Sequence, residues 1–250
     1  NTQLALDVDL DEVVSVAADF SGDYFYIADK NGSSYHISRV TRAVPGVPAV
    51  IEYMLGNDSA GPGPNQFGAG NVNYIDVNSS DTRFNCQVPG IDDIAVDIPG
   101  NVYFGDNIKG CVWMITPGFR GTQIAGSVRD VNGLNIFEVA DGSPAAGVDS
   151  NASVAVTTIA VNNSTPPSIY IGGAANFLGT NPYRVRRIDN NGSIWIINTV
   201  AGSGTTNLDT NGTIFANEMQ LTDITEVAVD VDNNVFFGDV DLVGTYRPPI

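Results

Sequence analysis

The chain contains one histidine, His36, and this is the first residue to consider for catalysis. It lies in the strand-like run YHISRVT, and no second His or Cys stands at the spacing of a metal site. A zinc centre or a Ser-His-Asp triad needs further partners at matched positions. The sequence therefore predicts that His36 is a strand residue beside a polar partner, and that the protein is not an enzyme.

Aspartates are the second set of residues that could carry chemistry, because Ca²⁺ takes about six to eight oxygen ligands in flexible geometry. Asp230 and Asp232 stand beside Asn233 and Asn234 in a turn-like stretch, and they are weak calcium candidates. Asp at a turn more often caps the backbone through local hydrogen bonds. We therefore expect no obligatory cofactor, and calcium is the one that the sequence leaves open.

Asn-x-Ser/Thr sequons, the acceptor sites of N-linked glycans, are the most frequent chemical motif. They begin at eight of the 25 asparagines, whereas the Ser and Thr frequency would give roughly three by chance. This excess predicts a secreted glycoprotein at an extracellular surface, although a loop-rich chain can also form sequons by accident. The eight are Asn31, Asn57, Asn78, Asn151, Asn162, Asn163, Asn191 and Asn211.

Two cysteines, Cys86 and Cys111, could pair as a disulfide. A count of two is weak evidence by itself. Together with the sequons, it favours an oxidising extracellular compartment.

The balance of charge excludes several classes of partner. The formal net charge of −17 repels phosphate backbones and anionic headgroups, which argues against nucleic acid and membrane-surface binding. No run approaches the roughly 18 apolar residues that a membrane span needs. The first residues, NTQLALDVDL, lack the regions of a signal peptide, so the chain is expected to be a processed mature protein or a segment of a longer one.

A hairpin repeat positions these residues. Each copy has a short apolar strand ending in an anchor Asp or Asn, then a polar turn, then an aromatic-rich strand. The anchors are Asp19, Asp97, Asn162 and Asp230. Two further strand-like runs follow each of the first three hairpins, and four antiparallel strands form a propeller blade. We therefore predict an all-β chain, a single β-propeller domain over residues 1–250. Its blades are predicted at about 11–56, 91–127, 153–203 and 223–250, with a separate strand at 2–10.

The repeat resembles that of NHL propellers. The matching motifs are IAVDIPGNVYFGD (94–106), VAVDVDNNVFFGD (227–239), YRVRRID (183–189) and the AGS triplets at 125–127 and 201–203. The resemblance implies a propeller fold. Some NHL-like propellers are lyases or lactonases with a metal in the central channel, but the resemblance assigns none of those ligands to a position in this chain.

The fourth unit is too short for four strands, because little sequence follows residue 239 and Pro248 and Pro249 cannot donate to a β-ladder. We expect the N-terminal run 2–10 to complete that blade, either in cis or from a neighbouring copy. The alternative is that more blades follow beyond residue 250. Exchange between copies would build a homo-oligomer or filament through edge strands or loops. The leading hypothesis is thus a non-enzymatic, glycosylated extracellular structural protein of a fibre or coat. The alternatives are an adhesive or ligand-binding propeller that uses calcium, and a propeller enzyme of the lactonase or lyase type.

Overall fold

The structure is a computed structural model of the 250-residue chain. It describes residues 2–32, 34–56, 74–76, 90–106, 110–126, 137–146, 152–154, 156–174, 183–202, 215–240 and 242–246. The chain divides into two compact units. Unit 1 comprises Asn1–Lys109 and Trp113–Gln123, and unit 2 comprises Gly110–Val112 and Ile124–Ile250.

The first sheet belongs to unit 1 and has five antiparallel strands in the order β1-β5-β4-β3-β2. The strands are β1 (Thr2–Leu4), β2 (Glu12–Ala18), β3 (Tyr24–Asn31), β4 (Ser34–Thr41) and β5 (Val50–Leu55). Aromatic and β-branched side chains favour these strands. Gly22, with a φ of 72°, allows the tight turn between β2 and β3.

The two faces of the first sheet differ in their cover. One face carries Tyr26, Ala28 and Ile37, which are all at most 2% exposed. Ser15 lies on the same face and donates from Oγ to Asp93 Oδ1 of the second hairpin at 2.6 Å. The opposite face, which we call the outer face, is partly covered by the segment that follows β1.

The second sheet has the order β6-β10-β9-β8-β7. Its strands are β6 (Tyr74–Asp76), β7 (Ile94–Val96), β8 (Val102–Asp106), β9 (Cys111–Ile115) and β10 (Arg120–Gly126). Every residue of β8 is buried, which suits an apolar, aromatic strand in the middle of the blade. Gly100 closes the turn between β7 and β8 with a φ of 85°.

The third sheet belongs to unit 2 and has five antiparallel strands in the order β12-β17-β16-β15-β14. A separate short pair, β11 and β13, is parallel. In chain order these strands are β11 (Phe137–Glu138), β12 (Ser143–Pro144), β13 (Ala152–Ser153), β14 (Thr158–Val161), β15 (Ser168–Ala174), β16 (Tyr183–Asn190) and β17 (Trp195–Ala201).

The fourth sheet, also in unit 2, contains β18 (Ile224–Val229), β19 (Val235–Asp239) and β20 (Leu242–Tyr246). One of its faces packs on the third sheet in a shared core that includes Tyr170, Val185, Val227 and Phe237. The Val227 amide donates to Thr158 Oγ1 at 3.1 Å, which ties the two sheets together.

The described strands confirm the predicted blade plan. All four hairpins form, the third and fourth strands follow them in the first three sheets, and the fourth sheet has three strands. The short outermost strands β1, β6 and β12 were not predicted as parts of these sheets. Among the described residues, no helix is long and apolar enough to cross a membrane.

The N-terminal run does not take the place predicted for it. Within 2–10, only Thr2–Leu4 form a strand, and they pair with β5 of the first sheet instead of completing the last blade. The physical reason is apolar cover, because Ala5, Val8 and Leu10 pack on the outer face of that sheet. That 1–250 is a single propeller domain stays a prediction, since the chain divides into two units.

Candidate functional site

The four predicted anchors all cap their hairpin turns. In each case a side-chain oxygen accepts the backbone amide of the residue where the chain turns back into the next strand. The bonds are Tyr24 to Asp19 at 3.0 Å, Asn101 to Asp97 at 2.7 Å, Ser168 to Asn162 at 2.8 Å and Asn234 to Asp230 at 2.7 Å. The repeat therefore encodes one capping interaction, an oxygen acceptor at the anchor position, in turns of different lengths.

Asp97 is the most deeply buried carboxylate anchor, at 1% exposure. Besides the amide of Asn101, it accepts the Asn101 side-chain amide at 2.8 Å and the Tyr103 hydroxyl at 2.9 Å. Burial raises the pKa of Tyr103, and the charge and hydrogen bond of Asp97 raise it further. Tyr103 therefore stays a neutral hydroxyl donor over the physiological range.

Asp230, one of the two calcium candidates, is occupied as a cap. Its Oδ1 accepts the amides of Asp232 and Asn234, and its Oδ2 accepts the Asn234 side-chain amide at 2.7 Å. No group of three or more His, Cys, Asp or Glu residues that could hold a metal ion occurs among the described residues. The turn is thus explained by its own hydrogen bonds, and calcium at Asp230 and Asp232 has no support from a ligand cluster.

The sequon asparagines fall into two structural groups among those described. Asn31, Asn163 and Asn191 are exposed. Asn31 is the last residue of β3, Asn163 lies between β14 and β15, and Asn191 lies between β16 and β17. Asn162 is only 5% exposed and serves as an anchor. Asn57, Asn78, Asn151 and Asn211 lie outside the described residues.

Cys111 is fully buried at the start of β9. Its predicted partner, Cys86, lies outside the described residues. The disulfide therefore stays a prediction.

His36 is buried in β4, at 2% exposure, opposite Asp29 of β3. Its Nδ1 lies 3.5 Å from Asp29 Oδ2, and its ring meets the edge of Tyr53 with centroids 5.8 Å apart. His36 is therefore a strand residue beside a polar partner, as the sequence predicted. The absence of enzymatic activity stays a prediction.

A partly open apolar cavity of about 360 Å³ lies on the outer face of the first sheet. The segment 5–10 forms one wall, and Phe25, Val40 and Ile51 of the sheet form part of another. All eleven residues that line it are apolar. The alternating Leu and Val residues of the N-terminal run are the available signal, but that alternation equally predicts a strand of the last blade.

The edges of this cavity are unusually exposed for apolar side chains. Leu6 is 96% exposed and Phe25 is 37% exposed, and both line the cavity. Val16 does not line it but lies on the same face of the sheet and is 58% exposed. Contiguous exposed apolar surface of this kind is typical of an interaction site. The outer face with its cavity is therefore the candidate functional site.

Several solved structures of low sequence identity resemble the chain. The chain resembles a structural genomics protein of unknown function from Bacteroides thetaiotaomicron VPI-5482, with 16% identity and a TM-score of 0.51, over 91% of this chain and 44% of that one. It also resembles an auxiliary nutrient binding protein from Bacteroides ovatus ATCC 8483, with 13% identity and a TM-score of 0.48, over 96% of this chain and 60% of that one. A streptogramin B lyase matches with 10% identity and a TM-score of 0.42, over all of this chain and 59% of the lyase.

These likenesses concern the fold alone, because the sequences share so little identity. The chain spans less than two thirds of each of these three proteins. No family model and no curated protein sequence matches the chain. The architecture is all-β and resembles that of a β-propeller. In three of the described sheets a blade of four strands is extended by one short edge strand, and the fourth sheet has three strands. Membership in the NHL family stays a prediction.

Proposed function

We propose that this chain is an extracellular, N-glycosylated, non-enzymatic assembly protein whose copies join through the outer face of the first sheet. The observation that carries the proposal is the apolar cavity on that face, bordered by exposed Leu6 and Phe25. Repetition of the contact would build a fibre or coat at a cell surface. The sequons support the extracellular location and the glycans.

A propeller blade normally has apolar surface on both faces, and each face packs on a neighbouring sheet. On the inner face of the first sheet such packing leaves Tyr26 and Ile37 almost fully buried. On the outer face, residues 5–10 cover only part of the apolar surface. Covering the remainder would remove Phe25 and Val16 from water. Each Å² of apolar area buried in this way stabilises the contact by about 25 cal/mol.

We assign a second copy of the chain as the partner, because its fourth sheet offers a matching surface. On the face turned away from the shared core, Phe236 is 41% exposed and its cross-strand neighbour Ala228 is also exposed. The opposite face of the same sheet already packs on a blade through Val227 and Phe237. Sheet-on-sheet contact between copies would continue the packing that unit 2 uses internally.

Such a contact joins two different surfaces, so it is heterologous and propagates unless a ring closes. The outer edge of β20 adds a second opportunity, since no described strand pairs with it. An unpaired edge is a template for strand addition from another chain.

The test is to compare Leu6→Glu with Ile98→Glu by analytical ultracentrifugation and negative-stain electron microscopy. Both side chains are exposed and both changes add one negative charge, but Ile98 lies in the turn of the second hairpin, away from the cavity. We expect the unaltered protein to associate as its concentration rises, Ile98→Glu to associate equally, and Leu6→Glu to shift towards monomer. An unaltered protein that is monomeric throughout, or two variants that behave alike, would refute the proposal.

Added salt provides an independent readout, because copies with a net charge of −17 repel one another. The Debye length falls from about 10 Å at 0.1 M salt to about 3 Å at 1 M. Association through apolar faces should therefore strengthen as salt is added. Weakening by salt would point to charge-mediated contacts instead.

A further inference from the structure

The turn between β14 and β15 contains two overlapping sequons. Asn162-Asn163-Ser164 and Asn163-Ser164-Thr165 share two residues, so the sequence alone does not distinguish their acceptors. The structure separates them, because the two neighbouring asparagines have opposite environments.

Asn162 is built into the fold. Its Nδ2, the atom that would receive a sugar, donates to Asn233 Oδ1 at 2.6 Å. Its Oδ1 accepts the Ser164 hydroxyl at 2.7 Å, the Ser164 amide at 3.3 Å and the Ser168 amide at 2.8 Å. Asn162 is only 5% exposed, so the surrounding protein leaves almost no space for a sugar on this nitrogen.

The repeat explains why an asparagine stands there. The equivalent residues of the other three hairpins are Asp19, Asp97 and Asp230. Each of these carboxylates caps the turn of its own hairpin. The side-chain oxygen of Asn162 makes the corresponding bond to Ser168. This sequon is therefore accounted for by turn chemistry, without a glycan.

Asn163 is exposed at the same turn. We propose that Asn163 carries the N-linked glycan of this turn and that Asn162 remains unmodified as its structural anchor. The inference rests on the proposed glycosylated, extracellular function. The adjacent turn with Asn191 lies at the same end of the third sheet, because the β14–β15 and β16–β17 connections of an antiparallel sheet share one end.

The modification is a glycosyl transfer, and it needs a sugar linked to a lipid phosphate together with a transferase. Asn163 Nδ2 forms a bond to the anomeric carbon of the sugar and loses one proton to a base of the transferase. The bond from the anomeric carbon to the phosphate oxygen breaks, and its electron pair stays on the lipid phosphate. No oxidant or reductant takes part.

Single substitutions separate the two sequons. Thr165→Val removes only the Asn163 sequon and keeps the shape of the side chain. Asn162→Asp removes only the Asn162 sequon and installs the anchor used by the other three turns. Ser164→Ala also removes only the Asn162 sequon, although it deletes the hydroxyl bond to Asn162.

The full chain and these variants would be secreted from a host that performs N-glycosylation. The peptide spanning 162–165 would then be fragmented by electron transfer, which leaves the sugar attached and locates it. We expect complete loss of the glycan in Thr165→Val and its retention in Asn162→Asp and Ser164→Ala. Circular dichroism would establish that Thr165→Val still folds.

The opposite pattern, with the glycan kept in Thr165→Val and lost in Asn162→Asp, would overturn the inference. A bare turn in a protein that carries glycans at Asn31 or Asn191 would also overturn it, while leaving the glycoprotein function standing. A protein without any glycan would overturn both this inference and the glycosylated function.

Discussion

Replacing Asp97 should be the most damaging change among the three carboxylate anchors, because its surroundings are the most buried. Asp97→Ala removes the acceptor for the Asn101 amide, the Asn101 side chain and the Tyr103 hydroxyl. Tyr103 is 1% exposed, so its hydroxyl would lose its partner without gaining water. Asp97→Asn keeps one oxygen for the Asn101 amide, as Asn162 does for Ser168 in the third hairpin.

The magnitude follows from counting the donors that are left unsatisfied. A buried donor without a partner, here the Tyr103 hydroxyl, costs about 1–3 kcal/mol. The backbone amide and the side-chain amide of Asn101 are half-buried, so each adds only part of that amount. We therefore expect Asp97→Ala to lower the free energy of unfolding by about 3 kcal/mol and Asp97→Asn by about 1 kcal/mol. At about 2–4 °C per kcal/mol, these values correspond to Tm losses of about 6–12 °C and about 2–4 °C.

Thermal unfolding followed by circular dichroism is the assay, with the fluorescence of buried Trp113 as a local probe of the second sheet. Asp230→Ala is the matched control, because it removes the carboxylate anchor from the equivalent turn of the fourth hairpin. The donors that it leaves without an acceptor are half-buried or exposed, so water can hydrate them. We expect it to cost about 1 kcal/mol. The burial argument fails if Asp97→Ala costs no more than Asp230→Ala, or if Asp97→Asn costs as much as Asp97→Ala.

Two further predictions concern packing and protonation. Gly172→Ala should lower the free energy of unfolding by about 1–3 kcal/mol, because the new Cβ would lie 2.6 Å from Ile224 Cγ2 and 2.8 Å from Thr158 Cγ2. Gly118→Ala, whose nearest neighbour is 3.8 Å away, should leave Tm almost unchanged; equal losses in the two variants would contradict the steric argument. Burial raises the pKa of Asp19, but hydrogen bonds from Ser21 and the backbone amides outweigh it and leave the pKa below its ordinary value. The folded pKa lies below the unfolded one, so this stabilisation is present at neutral pH and is lost as pH falls through the folded pKa. The stability difference between the unaltered protein and Asp19→Asn should therefore shrink below about pH 4, and a difference independent of pH down to about pH 2 would exclude this role.

The hairpins could be predicted because each one is encoded locally. An apolar strand, an Asp or Asn, a polar turn and an aromatic strand lie within a short stretch, and the bonds at Asp97 and Asp230 join residues only a few positions apart. The third and fourth strands of the first three blades follow from the same local alternation. Such features need no knowledge of distant contacts.

The N-terminal run and the apolar cavity could not be placed in the same way. The alternation of 2–10 shows that one face needs cover, but it does not say which sheet will provide it. Long-range packing decides whether the run pairs with the first or the last blade. Its apolar residues pack on the first sheet, where Ala5, Val8 and Leu10 contact the cluster of Ile27, Val40 and Ile51. Because the cavity arises from that choice, it was beyond reach of local patterns.

We expect fewer glycans than sequons, and the anchor position gives the reason. Asn is frequent in turns because its side chain can cap the backbone, and Ser and Thr are frequent there for a related reason. Turns that need Asn and Ser for hydrogen bonding therefore create sequons without any selection for sugar, as Asn162 and Ser164 do. Exposure of the acceptor nitrogen distinguishes the two origins better than motif counting. By that criterion Asn31, Asn163 and Asn191 remain the described candidates for a glycan coat, and Asn162 belongs to the architecture of the blade.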